Sequence, residues 1–443
     1  MQVSRPINFY LPEKLLVELE KYIDKNPPSW KYDMNLFYHL IHRLIVMQNQ
    51  IKDKDSNYFP LRTDNLKYVS NWNLIRYKKY LLNGEFLDCD YTAITGKKKY
   101  HYRLNPTYLQ GSRKVEIQSG SSLYRSIIHQ QRLTRSHSNR MLPYLKRMQD
   151  FYLDVDMDYS EAKKYADSHP DEAKKHSYLT SIAMIEDKRF RRFSRNKTNN
   201  RLDTNFTNLK SDFRQFLIGD FVSIDLANSQ PFLLSQLLGE IFTTITTNTI
   251  PRVYSCSILD FDLVKEFGKQ TFNNLLKTHQ NEVFLDFGEL LNFQISCING
   301  TFYEDFLDQI KSESNTRGQI KKMLFAVLFS QNLMHKDFIK FIPYQKEKTL
   351  FASVYPSIYH VIKALKDEDH SKLAVLLQKI EAQVFIDTIC RDLVKQGITP
   401  LTIHDSIIVE SNHTERALCV CDNTFKKHFG VMPKFHVKPL NQS

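Results

Sequence analysis

The chain has 443 residues, 42% of them hydrophobic, which is enough to bury a large core and to divide into about two to four units. Sixty-one Lys and Arg against 49 Asp and Glu leave a formal charge of +12, a balance that suits a polyanionic partner better than an acidic small molecule. Six cysteines, at 89, 256, 297, 390, 419 and 421, lack the paired spacing of a zinc site and do not form a secreted disulfide pattern. The opening "MQVSRPINFYLPEKLL" has no apolar core of signal-peptide length, and no stretch approaches the roughly 20 apolar residues of a membrane span. A cytoplasmic, reducing location without membrane contact is expected.

Residues 1–58 carry helical periodicity, with Leu15, Leu16, Leu19 and Tyr22 on one face and Leu36, Leu40, Leu44 and Met47 on another. Residues 59–105 read as two short amphipathic segments, a stop at Gly84 and alternating strands around a turn at Gly96 and Lys97. Helix, helix and basic hairpin in that order predict a winged-helix-like module. Lys97, Lys98 and Lys99 at the hairpin tip would reach phosphates while a helix from Asn71 enters a groove. Winged helices also serve as plain protein contacts.

Between 106 and 190 lies a basic helical segment in which Arg113, Lys114, Arg125, Arg132, Arg135, Arg140, Lys146 and Arg147 face few acids. A phosphate backbone would suit it, and so would solvent. The stretch "KRFRRFSRNKTNNRL" then interleaves Phe190 and Phe193 with cations, a pattern for stacking on bases or for filling a core.

Three motifs follow. In "FVSIDLANSQPFLLSQLL", from 221, Phe221, Val222 and Ile224 predict a buried strand with Asp225 at its tip, and Pro231 falls in the first turn of an apolar helix. Asp225 would equally serve as a cap for that helix, together with Asn228 and Ser229. In "TRGQIKKMLFAVLFSQN", from 316, Arg317, Lys321, Phe325 and Phe329 recur every fourth position and share one helix face. Two cations followed by two rings match a ligand that is anionic at one end and flat at the other, as a nucleoside triphosphate is. Cations at a helix start oppose the dipole, so this placement has no structural benefit of its own. In "LTIHDSIIVE", from 401, two strands meet at a tight polar turn carrying Asp405, either an ordinary turn residue or a cation ligand. Two strand-tip carboxylates, Asp225 and Asp405, would share a pair of Mg²⁺ ions about 3.5–4 Å apart for in-line phosphoryl transfer.

In this order and spacing the motifs resemble those of the family A nucleic-acid polymerases, the DNA polymerase I-like enzymes and the phage-type single-subunit RNA polymerases. Asp225 is similar to the motif A aspartate, Arg317, Lys321, Phe325 and Phe329 to the motif B helix, and His404–Asp405 to the motif C turn. "NNRLDTNFTNLKSDFRQFL", from 199, resembles the segment before motif A, matching Arg201, Leu202, Asn208, Leu209 and Arg214. "LFASVYPSIYHVI" and "LLQKIEAQVFIDTI" resemble the helices before motif C, and Gln378 takes the position of the minor-groove glutamine.

The resemblance covers roughly residues 195–412. It implies an α+β fold with a right-hand polymerase palm, an antiparallel sheet, in 191–443, with helical fingers and a thumb-like 106–190. Asp225 and Asp405 would hold two Mg²⁺, Arg317 and Lys321 the triphosphate, and Phe325 the base and sugar. Lys321 would protonate the leaving pyrophosphate, and Arg201, Gln378 and His404 would line the primer terminus. DNA template and primer with dNTPs are the implied partners, with NTPs open.

Four departures bear on the sugar and the spacing. Phe329 and Ser330 replace a Tyr-Gly pair, Gln230 aligns with the glutamate that polices the 2′ position, Ser406 replaces the motif C glutamate, and the distance from motif A to motif B implies an insertion in 240–300. No proofreading exonuclease is expected. An RNA polymerase or primase of the same fold remains the alternative, as does a catalytically inactive DNA-binding replication or defence protein. A compact enzyme of this kind would suit a mobile element.

Overall fold

The computed structural model describes residues 5–50, 58–59, 61, 71–94, 97–136, 141–247, 286–311, 316–336 and 339–440. Every strand pairing among them is antiparallel, and helices account for most of the remaining regular structure, an α+β arrangement.

The N-terminal part is built on pairings distant in sequence. Strand β1 (Ile7–Pro12) pairs with a later strand through Ile7↔Ile117 to Pro12↔Ser112, and β2 (Leu87–Ile94) and β3 (Lys97–Leu104) form a hairpin. Pairing with β4 (Ser112–Ile117) brings helices Glu13–Lys25, Met34–Gln50 and Asn71–Asn83 around one core that includes Phe9, Leu19, Phe37, Tyr77, Leu104 and Ile117. Residues that the sequence reading placed in three successive segments share this core. A helix, Asn71–Asn83, and the β2–β3 hairpin stand in the stretch where a winged-helix-like module is expected; residues 62–70 and the side chains of Lys97, Lys98 and Lys99 lie outside the described residues. The expected insertion at 240–300 also lies largely outside them.

A short hairpin, β5 (Phe193–Arg195) with β6 (Leu202–Thr204), leads into the central sheet. Strand β7 (Phe221–Leu226) is its pivot. After the hairpin β8 (Met334–Lys336) and β9 (Ile339–Phe341), the chain supplies β10 (Leu401–Ile403), β11 (Ser406–Glu410) and β12 (Phe435–Pro439), and the sheet order is β10-β11-β7-β12. Period-2 alternation decides which side chains face which way. Val222 and Ile224 of β7 and Ile407 and Val409 of β11 enter the largest core, packed by helices Ser229–Thr247, Arg317–Phe329, Pro356–Leu365 and Thr414–Phe429. On the other face Phe221, Ile408, Leu401 and Ile403 join a smaller core with helices Pro143–Asp154, Tyr159–Asp167 and Glu172–Glu186. Asp225 belongs to that second face.

Arg191 ties the 106–190 segment to this smaller core. It is 2% exposed and donates to the carbonyls of Ile185 at 2.7 Å, Leu153 at 2.8 Å and Val155 at 2.6 Å, and to the Tyr159 hydroxyl at 2.7 Å. Arg191→Ala would strand several buried acceptors together, so a loss of about 3–5 kcal/mol in urea-denaturation stability is expected. A loss below about 1 kcal/mol would mean that water or a neighbour replaces the guanidinium.

Candidate active site at the strand tips

Asp225 stands near the end of β7, directly across from Ser406 of β11 on one side and His436 of β12 on the other. Direct cross-strand partners project from the same face with Cβ atoms about 4.5–5.5 Å apart, so the three side chains form a row. Asp405 occupies the two-residue turn between β10 and β11, and its carbonyl accepts a hydrogen bond from the Leu226 N–H at 3.2 Å. That bond locks the turn onto the tip of β7 and sets the two carboxylates beside each other. His404, first in the turn, takes φ 56°, a left-handed conformation that costs a non-glycine residue about 1 kcal/mol or more and that the surrounding ladder must sustain.

Burial pushes the Asp225 carboxyl up to about 6, and the neighbouring Asp405 charge adds to the rise; Lys438, Lys321 and Arg214 work against it. Asp405 is likewise raised, first by burial, while Arg201, Lys321 and the hydroxyl of Ser229 favour its charged form. Arg214 is lowered by burial and faces both aspartates. Two half-buried acids whose charged forms remain disfavoured despite the nearby cations would be a poor structural choice, since desolvation and mutual repulsion both cost free energy.

The helix Arg317–Phe329 starts at a capping box: Thr316 accepts from the Gln319 N–H, and Gln319 returns a bond to the Thr316 N–H at 2.6 Å. Lys321 thereby projects within electrostatic reach of both aspartates and over the Phe325 ring, 5.8 Å from its centroid. Phe325 and Phe329 are half-buried with centroids 5.4 Å apart, forming the flat part of the face. Arg317 instead pairs with Glu304 at 2.8 Å and lies over Tyr303. At the other end of the helix the side-chain nitrogens of buried Lys366 and Lys348 donate to the carbonyls of Val327 and Gln331, which satisfies acceptors left open at the helix end and fixes its axis.

Behind Asp405 lies a third acid that the sequence reading did not single out. Glu381, 1% exposed in helix His370–Ala382, accepts from Arg201 at 2.7 Å and from the Gln230 side-chain nitrogen at 2.6 Å. Burial raises it to about 7, opposed by Arg201. Gln378, one helical turn earlier, accepts from Asn199 at 2.9 Å. Arg201 and Gln230 therefore meet at Glu381 close to Asp405, and His404 precedes Asp405 in the turn, whereas Gln378 is placed only by its bond to Asn199, one helical turn from Glu381. Lys438 and His436 on β12 were also missed, since only strand register reveals them. Among the described residues, no group of three or more His, Cys, Asp and Glu side chains is placed to hold a metal ion. The all-oxygen donor set of the aspartate pair nonetheless fits a hard divalent cation that takes its remaining ligands from water or a substrate.

The chain matches no protein-family model and no curated protein. Among solved structures it is similar to the POL domain of Pol1 from M. smegmatis in complex with DNA primer-template and dNTP, at 10% identity and a TM-score of 0.25, over 72% of this chain and 64% of that one. The chain thus spans less than two thirds of that structure, and at this score the likeness carries no argument about the present site.

Proposed function

We propose that the chain is a template-directed nucleotidyltransferase, a DNA-directed DNA polymerase without proofreading exonuclease, which uses two Mg²⁺ held by Asp225 and Asp405. The observation that carries this reading is the pair of half-buried carboxylates joined at the β7 and β10–β11 tips, with Lys321, Arg201, Arg214 and Lys438 near enough to act on them. Mg²⁺, when bound, supplies charge neutralisation and polarisation of the phosphoryl oxygens. The chain's own part is positioning and electrostatics, which is most of what phosphoryl transfer requires.

Lys321 holds a proton beside the triphosphate and gives it to the departing pyrophosphate. Arg317 exchanges Glu304 for a phosphate, keeping charge compensation throughout. Phe325 and Phe329 offer a flat apolar wall to the base, while Arg201, Gln378 and His404 face the primer terminus. The palm-like sheet, the finger-like helix Arg317–Phe329 and the thumb-like 106–190 segment are part of the same proposal. Ser406 in place of a third acid favours the second reading, an RNA polymerase or primase of this fold.

Extension of a labelled primer on a DNA template, with dNTPs and NTPs in separate tubes and with and without Mg²⁺, tests it. Metal-dependent extension supports polymerase activity, and the active tube assigns the sugar. Tight DNA binding without a product from any nucleotide, primed or unprimed, would favour the inactive binding protein.

The N-terminal hairpin is proposed to hold phosphates through Lys97, Lys98 and Lys99. In the full chain, replacing all three by Ala is expected to flatten the plot of log affinity for duplex DNA against log salt by up to about 3 in slope. An unchanged slope would assign the hairpin to protein contacts.

A further inference from the structure

We propose that the chain has a second ligand site, a cleft with the helical stretches Gln383–Cys390 and Arg391–Lys395 on one wall and helix Thr414–Phe429 on the other. Its ligand is a phosphate monoester whose neutral part carries hydrogen-bond donors, as a nucleoside monophosphate does. The site is independent of the strand tips: Asp225, Asp405 and Lys321 take no part in lining it.

The cleft has a volume of about 440 Å³, and Val420 is the one apolar residue on its walls. The helix that carries Gln378 and Glu381 runs on beyond Ala382 as a π-helix, Gln383–Cys390. This conformation is rare, closes its hydrogen bonds from i to i+5 and is found mostly at functional sites. Its wider turn brings residues four and five apart onto one face, so Gln383, Asp387 and Thr388 all open into the cleft.

The acids of the cleft are already compensated. Arg195 donates to the two oxygens of Asp387 at 2.8 and 2.6 Å, and the Tyr144 hydroxyl donates to the same carboxylate at 2.6 Å. Asp392 meets Lys395 at 3.0 Å and Arg391 at 3.6 Å. Lys427, on the opposite wall, is in no ion pair with a described residue. Between Lys427 and Arg391 sits His428, 7% exposed, whose imidazole is pushed down by burial first and by both cations, against Asp392. Cations in the last turn of Thr414–Phe429 complement its dipole, which accounts for Lys426 and Lys427 but not for Arg391 arriving from another helix. Positive charge converging on a cleft whose acids are occupied suits a phosphate.

The hydroxyls define the rest of the ligand. Thr424 and Thr388, 5% and 9% exposed, donate to the carbonyls of Val420 at 2.7 Å and Gln383 at 3.0 Å. Each hydroxyl has used its one hydrogen, so it has only lone pairs left for a ligand. Inorganic phosphate matches the cations alone. A nucleotide also brings donors in its sugar hydroxyls and base amino group.

The test is calorimetry on the full chain without divalent cations, with 5′-AMP, adenosine and inorganic phosphate as probes. 5′-AMP is expected to bind with a Kd below about 1 mM, and adenosine and phosphate each at least about tenfold more weakly. Arg391→Ala and Lys427→Ala, both at exposed positions that do not endanger folding, should each weaken 5′-AMP by about tenfold, while Lys321→Ala leaves it unchanged. A short oligonucleotide with and without a 5′-phosphate then identifies the source. A preference for the phosphorylated form that Lys427→Ala removes assigns the site to a strand end, and 5′-AMP binding without such a preference assigns it to a free nucleotide. Adenosine or phosphate binding as tightly as 5′-AMP, affinity that Lys321→Ala lowers and the other two substitutions do not, or no binding of either 5′-AMP or the phosphorylated strand would overturn the inference and leave nucleotidyl transfer untouched.

Discussion

Asp225→Asn and Asp405→Asn are each expected to lower nucleotide incorporation by about 10³-fold or more while making the metal-free protein more stable. The loss follows from removing half of an anionic ligand pair, a change worth about 4 kcal/mol or more in transition-state stabilisation. The gain follows from the same pair. In the folded chain Asp225 titrates at about 6 against an ordinary 3.8, so between those values the folded state holds a proton that the unfolded state has released. Stability of the metal-free protein therefore falls as pH rises through that window and stays low above it, by at most about 3 kcal/mol for this group. Asn cannot ionise, so urea denaturation should place Asp225→Asn above wild type by about 1–3 kcal/mol at pH 8 and much closer to it at pH 4.5. A variant less stable than wild type at pH 8 would mean that the carboxylate is compensated structurally and is not maintained for a cation.

Lys321→Ala is expected to reduce kcat by about 10²–10⁴-fold, the range for losing a positioned proton donor together with its charge. Its capped helix is anchored by buried Lys366 and Lys348, so the deletion removes a charge from the site without releasing the helix. Arg317→Ala should act mainly on KM, because the Arg317 guanidinium rests on Glu304 and Tyr303 and reaches a phosphate only by exchange. Single-turnover kinetics separate the two effects. Equal effects on KM and none on kcat in both variants would leave Lys321 as a binding residue alone.

The strands, the turn and the four-residue period of the site were legible because local pattern determines them. Alternating Phe221, Val222, Ile224 and Ile407, Val409 mark strands whichever partners they find, and a spacing of four keeps Arg317, Lys321, Phe325 and Phe329 on one face. Glu381 was invisible for the opposite reason. An acid in the mostly apolar stretch from Leu373 to Ile389, which also holds Asp387, looks like a solvent-facing position, and only the arrival of Arg201 and Gln230 from remote parts of the chain makes burial of Glu381 tolerable. The pairing of β1 with β4 spans about a hundred residues and has no local signature, so the N-terminal core looked like separate segments. His436 and Lys438 entered through register alone: β12 adds to the far side of β7, a choice that the sequence of β12 does not announce.

The central claim, that Asp225 and Asp405 jointly hold divalent cations for nucleotidyl transfer, is met most directly by titrating Mn²⁺, as a paramagnetic stand-in for Mg²⁺, into the full chain in the presence of a nonhydrolysable nucleoside triphosphate. Electron paramagnetic resonance counts the bound ions without requiring the right template or primer. The expected result is Mn²⁺ binding by the ternary mixture beyond that of the triphosphate alone, lost in both Asp225→Ala and Asp405→Ala. Binding that survives both substitutions, or no binding above that of the free nucleotide, would contradict it.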